Sequence, residues 1–389
     1  MSLAGRYPLL VIAGAEFLAM AVWFSASAVV PQLSTEWRLD EGQRAWLTMS
    51  VQLGFVAGTL ISAVLNLADR LSSRWLFAGS ALLAGLCTLA IPWAATGAAS
   101  ALTLRFLAGL FLAGVYPVGM RVMATWTLAN RGFGIGLVVG ALTLGSAAPH
   151  LLRAIFGARD WRPVLTQAAL LAVAGSLAAA LWMRDGPHRA ISQVAPPFDW
   201  RATARLLRQR EIVLANLGYL GHMWELYAMW AWLPVFLVAR DPRGGAMLAF
   251  ASIAAGAAGC LWAGRWADRI GRPQVTAAAM ITSGSCALLI GFVLEGPWWL
   301  LAPVCVLWGF SVVADSAQFS ACVSELCEPR YIGTALTLQT CLGFILTLLT
   351  IRLVPLLEAR VGWRGAFAML AIGPALGTVA MLRLRGLSR

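Results

Sequence analysis

The stretch Gly264-Arg-Trp-Ala-Asp-Arg-Ile-Gly-Arg-Pro273 organises the rest of the chain. It is short, polar and basic, and long apolar runs flank it on both sides. A weaker copy stands at Leu65-Asn-Leu-Ala-Asp-Arg-Leu-Ser-Ser-Arg74, so that Asp69 and Asp268 lie 199 residues apart. A polar loop repeated at half the chain length marks an internal duplication. Other landmarks keep nearly the same offset. Asn130-Arg-Gly-Phe-Gly134 echoes Pro329-Arg-Tyr-Ile-Gly333 at 199, Trp161-Arg162 echoes Trp363-Arg364 at 202, and Pro31 echoes Pro234 at 203.

What was duplicated is a set of membrane-crossing segments. The 389 residues are 60% hydrophobic and 12% charged, with mean hydropathy +0.77. A soluble domain carries about 25% charged residues. The apolar residues fall in runs of about 20, the length a helix needs to cross a bilayer. Lipid offers no hydrogen bonds, so such runs must satisfy their own backbone as helices. Twelve runs are read, at 8–31, 45–68, 75–95, 100–124, 133–156, 163–183, 211–238, 246–264, 274–294, 298–322, 332–357 and 365–383. Short connections make neighbouring helices antiparallel. The exception is 184–210, with Pro187, Pro196, Pro197 and six Arg. It reads as a linker between six-helix halves at 1–183 and 211–389. Its end, residues 200–210, is either a basic amphipathic helix on the lipid surface or a solvated charge run.

The charge balance follows from the same reading. The net charge of +12 comes from 29 basic residues, all of them Arg. Most lie in loops, where they set topology rather than bind nucleic acid. With the N-terminus inside, roughly 17 loop or terminal Arg fall on one side and roughly 8 on the other. The richer side holds the linker, both Asp-Arg loops and both termini, and is expected to be cytoplasmic. The first apolar run is too long for a cleavable signal peptide. The seven Cys include no C-x-x-C pair, and six lie in the second half. They read as packing residues, and no metal or cofactor is expected. Nor is there a G-x-x-x-x-G-K-[ST] loop to support use of ATP.

The Asp-Arg loops resemble the signature Gly-x-x-x-Asp-Arg-x-Gly-x-Arg/Lys of the major facilitator superfamily of membrane transporters. The second copy matches at Gly264, Asp268, Arg269 and Gly271; Pro273 takes the last basic place, with Arg272 one position early. The first copy keeps Asp69, Arg70 and Arg74 but has Leu65 and Ser72 in place of glycines. The resemblance covers the whole chain and implies two six-helix halves related by an axis along the membrane normal. It implies that substrate binds near the midplane while the halves rock. It also implies that Asp69, Asp268 and their neighbouring Arg hold the cytoplasmic ends together when the cavity faces outward. Arg105-Phe-Leu-Ala-Gly109 resembles the family's Arg-x-x-x-Gly pattern and points Arg105 into the bundle. Gly136, Gly140, Gly145 and Pro149 loosely resemble the glycine-proline pattern of drug antiporters; close helix packing through small residues is the preferred reading. The Arg of nitrate porters is missing from the second and eighth spans.

Ionisable groups inside the spans need a reason, since each costs at least about 2.5 kcal/mol to insert. At about 1.5 Å per residue, Glu225 lies near the midplane, with Glu16 and Asp315 a little inside it. Arg105, Arg153 and Arg352 lie toward the outer face, where the last two could snorkel to headgroups. His150 shares a span with Arg153. Arg121 lies at the depth of Glu16, and an ion pair between them is expected. His222 and Glu225 are three residues apart on one helix face, so a hydrogen bond is expected there too. Trp224 and Tyr227 share their depth, while Trp230 and Trp232 suit an interfacial aromatic belt. Ser311, Asp315, Gln318 and Cys322 form a polar stripe, with Gln318 a possible partner for Asp315.

The expected function is a proton-coupled secondary transporter of a small organic solute, with a lean toward an organic anion because of the outer Arg groups. Glu225 is the expected proton site and Asp315 the runner-up. The alternative is export of a cationic or aromatic compound, favoured by the three acids and many Trp. A membrane-embedded enzyme and a non-transporting receptor or scaffold are the rivals from other classes. The expected partners are the small-molecule substrate, a proton and the lipid bilayer of a bacterial inner membrane, around a monomer.

Overall fold

The computed structural model describes residues 3–127, 131–157, 160–188, 208–328 and 331–387, and the side chains of these except 3–6, 68, 69 and 131. The surface helix expected at 200–210 falls mostly outside the described residues, as does the side chain of Asp69.

The described residues build helices joined by short turns. The first group is α1 (Leu3–Met20), α2 (Ser25–Ala28), α3 (Val30–Trp37), α4 (Glu41–Leu65), α5 (Leu67–Arg70), α6 (Ser73–Ala94), α7 (Ala98–Leu112), α8 (Tyr116–Trp126), α9 (Arg131–Phe156) and α10 (Arg162–Trp182). The second is α11 (Arg210–Arg240), α12 (Gly244–Ile270), α13 (Arg272–Val293), α14 (Trp298–Val312), α15 (Ser316–Leu326), α16 (Ile332–Leu370) and α17 (Ile372–Leu387). Outward faces are apolar, with Trp93, Trp299 and Phe292 all exposed, while Glu16, Arg105, His150, His222, Glu225 and Asp315 are buried. A chain that is apolar outside and charged inside is built for lipid.

Nine stretches among the described residues are long and apolar enough to cross a membrane. Three places account for the difference from twelve. The expected helix at 8–31 breaks at residues 21–24. The 31 residues of α11 have the length but carry His222 and Glu225 within and Arg210, Glu211 and Arg240 at the ends. Residues 332–387 form one 56-residue stretch, interrupted at Gly362, where φ is 70°. At about 1.5 Å per residue such a stretch far exceeds one crossing of the ~30 Å hydrocarbon core.

The duplication is visible in the element ends. The expected fourth and tenth spans each divide, α7 from α8 at residues 113–115 and α14 from α15 at 313–315. Both starts and both ends of these helices are 200 residues apart. The crossings repeat as well. A Cβ on Gly109 would lie 1.9 Å from the carbonyl oxygen of Val51, and one on Gly309 would lie 1.7 Å from that of Ser252. Helix backbones can approach so closely only through glycine. A longer small-residue seam joins α9 to α12. A Cβ on Gly264 would lie 2.9 Å from Gly132 O, one on Gly136 3.0 Å from Cys260 O, and one on Gly140 3.4 Å from Ala257 O. Gly145 crowds Phe17 of α1 in the same way. The packing reading of these glycines therefore holds, and their seam ties the first group of helices to the second.

Candidate functional site

Arg105 is fully buried on α7. Its Nη1 donates to the carbonyl of Val22 at 2.7 Å and to Ser25 Oγ at 3.3 Å, and its Nε donates to Leu47 O at 3.2 Å. Its Nη2 donates to Trp23 O. Where the first span breaks, the carbonyls of Val22 and Trp23 leave the helical ladder and need other donors. Arg105 supplies them, and Ser25 Oγ adds a hydrogen bond to Val22 O at 2.9 Å. All of these acceptors are neutral, so the guanidinium is well hydrogen-bonded yet still carries its charge. Arg153 is buried and donates to Ala28 O, so it does not snorkel. Arg352 is half-buried, with its Nη1 lacking a partner among the described residues.

The acids are placed differently from what helix spacing implies. Glu225 is buried, but its partners are Ser283 Oγ at 2.8 Å and Trp308 Nε1 at 2.7 Å. His222 turns instead to Asp315, with Nδ1 2.8 Å from Oδ1. The expected His222–Glu225 hydrogen bond is replaced because α13 and α14 bring donors to Glu225, while the turn at 313–315 swings Asp315 toward α11. That turn interrupts the helix of the expected stripe, yet Ser311, Asp315, Gln318 and Cys322 all stay buried. Gln318 does not serve Asp315; its Oε1 accepts from Arg272 Nη1 at 2.7 Å. Glu16 is fully buried, and neither carboxylate oxygen has a hydrogen-bond partner among the described residues. It lies over Gly119, where a Cβ would come within 2.5 Å of Oε2. The pair expected with Arg121 is not hydrogen-bonded, since two residues further round a helix is about 200° away. Arg121 makes its contacts elsewhere.

Six aromatic rings fill the space between the first group of helices and the second. Trp23 meets Phe55 at 4.9 Å and Phe344 at 5.6 Å between ring centroids, and Phe55 meets Phe344 at 4.8 Å. Tyr227 lies 5.0 Å from Phe344, 6.0 Å from Trp23 and 5.6 Å from Trp230, and Phe24 closes the ring on Tyr227 and Trp230. One turn along, Thr347 Oγ1 lies 2.5 Å from the Gln52 amide and donates to Phe344 O at 2.7 Å, so the Gln52 amide is the donor of that pair. Trp230 and Trp232 are thus buried rather than set in an interfacial belt, and Trp232 Nε1 donates to Ile351 O at 2.9 Å. Trp224 is half-buried and donates to Met369 O at 3.3 Å. Sequence reasoning missed Trp23, Phe24, Gln52, Phe55, Ser283, Trp308 and Phe344. Nothing in a single apolar span sets such residues apart from packing residues.

The Asp-Arg loop of the second group is well ordered by local chemistry. Gly271 takes φ 95° and starts α13, a conformation that a side chain disfavours. Asp268 lies against the first turn of α9, where a Cβ on Gly132 would be 2.8 Å from its Oδ2. Arg272 Nη2 is 3.7 Å from Asp268 and 2.7 Å from Glu325, an acid the sequence did not single out. Arg269 lies over the Trp266 ring at 5.9 Å. In the first copy Arg70 is exposed, and Arg74 donates to Ala180 O and lies 5.0 Å from the Trp75 ring.

Known proteins are similar to parts of this chain in sequence. The 4-hydroxybenzoate transporter PcaK of Pseudomonas putida is 23% identical over 235 residues, 54% of this chain and 50% of the relative. The niacin transporter NiaP of Acinetobacter baylyi is 30% identical over 134 residues, 31% of this chain and 29% of the relative. The chain thus spans half or less of the length of these curated relatives. The profile of the Major Facilitator Superfamily matches residues 12–351 and 241–389. With apolar spans, duplicated breaks and crossings, and a profile match along nearly its whole length, the chain belongs to the Major Facilitator Superfamily.

Proposed function

We propose that this chain is a proton-coupled secondary transporter that moves a small organic anion by alternating access. The observation that carries the reading is Arg105, a fully buried guanidinium whose acceptors are all neutral. It leaves an unneutralised positive charge inside the bundle, where charge interactions are strong. The relatives that carry 4-hydroxybenzoate and niacin support the same substrate class. In this reading twelve passes form halves at 1–183 and 211–389 joined by 184–210, with both termini in the cytoplasm of a bacterium. The chain works as a monomer without a cofactor, and as a transporter rather than an enzyme.

Glu225 is the proton carrier. Both of its hydrogen-bond partners are neutral, so its ionised form has no buried counter-charge in contact. Asp315, by contrast, shares its site with His222, which can balance its charge. The test is uptake of radiolabelled benzoate, nicotinate and short aliphatic carboxylates into proteoliposomes, with and without an imposed proton gradient. Accumulation of one of these acids that collapses with a protonophore is expected. Accumulation of a quaternary ammonium compound with no uptake of any acid would overturn the reading in favour of cation export.

A further inference from the structure

We propose that the six-ring cluster of Trp23, Phe24, Phe55, Tyr227, Trp230 and Phe344 is the binding site for a planar aromatic ring bearing a carboxylate. The proposal rests on the organic-anion reading above and narrows its substrate class.

Three observations carry it. The first is orphaned donors. Trp23 Nε1 and Trp230 Nε1 are buried and have no acceptor among the described residues. Buried N–H groups are nearly always paired, and an unpaired one calls for an explanation. Both are donors, and both belong to the cluster. A carboxylate only accepts hydrogen bonds, through two oxygens, and so complements such a set.

The second is charge. Arg105 holds the carbonyl oxygen of Trp23 itself. Its positive charge therefore lies one peptide unit from the cluster, with only neutral acceptors around it. A cation on the ring faces would gain from their quadrupoles. It would also meet Arg105 and leave both Trp N–H groups unpaired. An anion gains on both counts.

The third is geometry. The rings come from the first-span break and α4 on one side, and from α11 and α16 on the other. A flat ring can enter between them by offset stacking when the two groups of helices part. Ligand contacts would then be shared by both groups, as alternating access requires.

The experiment is equilibrium binding of radiolabelled benzoate to the purified full chain, competed by nicotinate, cyclohexanecarboxylate, benzyl alcohol and benzyltrimethylammonium. Nicotinate should compete like benzoate. Cyclohexanecarboxylate, which lacks the aromatic face, and benzyl alcohol, which lacks the charge, should each be at least about tenfold weaker. Trp23→Phe and Trp230→Phe keep an aromatic face and delete the indole N–H, which has no partner among the described residues, together with the pyrrole part of the ring. Each should weaken benzoate at least about tenfold, whereas a packing role alone would lower the melting temperature without moving benzoate against its competitors. Should Trp23→Phe fail to fold, Trp230→Phe carries the same test. Wild-type binding with both variants unchanged would overturn the site and leave the anion reading standing. Uptake of an aliphatic acid with no binding of benzoate or nicotinate would overturn the substrate class alone. Binding of benzyltrimethylammonium in place of benzoate would overturn both.

Discussion

Arg105 shows how much one side chain can decide. It provides the donors that let the first span break at residues 21–24. Arg105→Leu would leave the carbonyls of Leu47, Val22 and Trp23 without this donor, at about 1–3 kcal/mol for each that stays unpaired. A clear fall in melting temperature in detergent is expected. Arg105→Lys keeps the charge but has one nitrogen to replace three, so it should lie between Leu and the wild type. An unchanged melting temperature for Arg105→Leu would remove the clamp from the account. For Glu225 the expected outcome is a split. Glu225→Gln should abolish uptake driven by a proton gradient and retain substrate counterflow, because the amide keeps the shape and loses the exchangeable proton. If proton-driven uptake survives there and fails in Asp315→Asn, the role passes to Asp315. The partners that the sequence assigned to both acids were wrong. His222 and Glu225 share a face at spacing three, yet each is claimed by a different helix, and a single helix says nothing about what packs against it.

At the scale of elements, glycine governs how closely the helices cross. Gly109 and Gly309 hold equivalent crossings 200 residues apart, α7 over α4 and α14 over α12. A methyl group at Gly109 would drive into the Val51 backbone, which cannot yield as a flexible side-chain tip can. Gly109→Ala should therefore destabilise by at least about 1–3 kcal/mol, the range for overpacking. Gly79→Ala is the control, because nothing lies within 4 Å of its would-be Cβ. There the exchange should be neutral or gain up to about 1 kcal/mol from helix propensity. Equal melting temperatures for the two variants would refute the close-crossing account. Element existence was legible because long apolar runs have one solution in lipid. The breaks at 113–115 and 313–315 were not. The first has a signal that went unused, since Pro117 has no N–H for the carbonyl of Ala113; the second, Val313-Ala314-Asp315 followed by Ser316-Ala317, has no proline, and hydropathy measures composition rather than the hydrogen-bond ladder. Only the offset between copies could have hinted that the two breaks match.

Across the whole molecule, the two groups of helices are joined by different chemistry at different levels. The aromatic cluster joins them near the middle through apolar contact. The Asp-Arg loop of the second group meets the first group at the start of α9. Asp268 lies against the start of α9, where the unpaired N–H groups and the helix dipole favour a negative charge. Arg272 connects the same carboxylate to Glu325 on α15, so that α9 is tied to a network inside the second group. Asp268→Asn keeps the size and loses the charge, and about 1 kcal/mol of charge–dipole attraction goes with it. That is about a fivefold change in a two-state population. Its direction is toward opening at the end of the termini, the face expected to be cytoplasmic. Cys260 is a native reporter, fully buried in the α9–α12 seam one turn from Gly264. Alkylation of Cys260, read by peptide mass spectrometry in membranes, should rise about fivefold in Asp268→Asn. A thiol introduced by Ser27→Cys on the far side of the aromatic cluster should become less reactive in the same background, because one end closes as the other opens. If Cys260 reactivity does not change, the Asp268 contact with α9 is a packing detail and the ends are held together by the glycine seam alone.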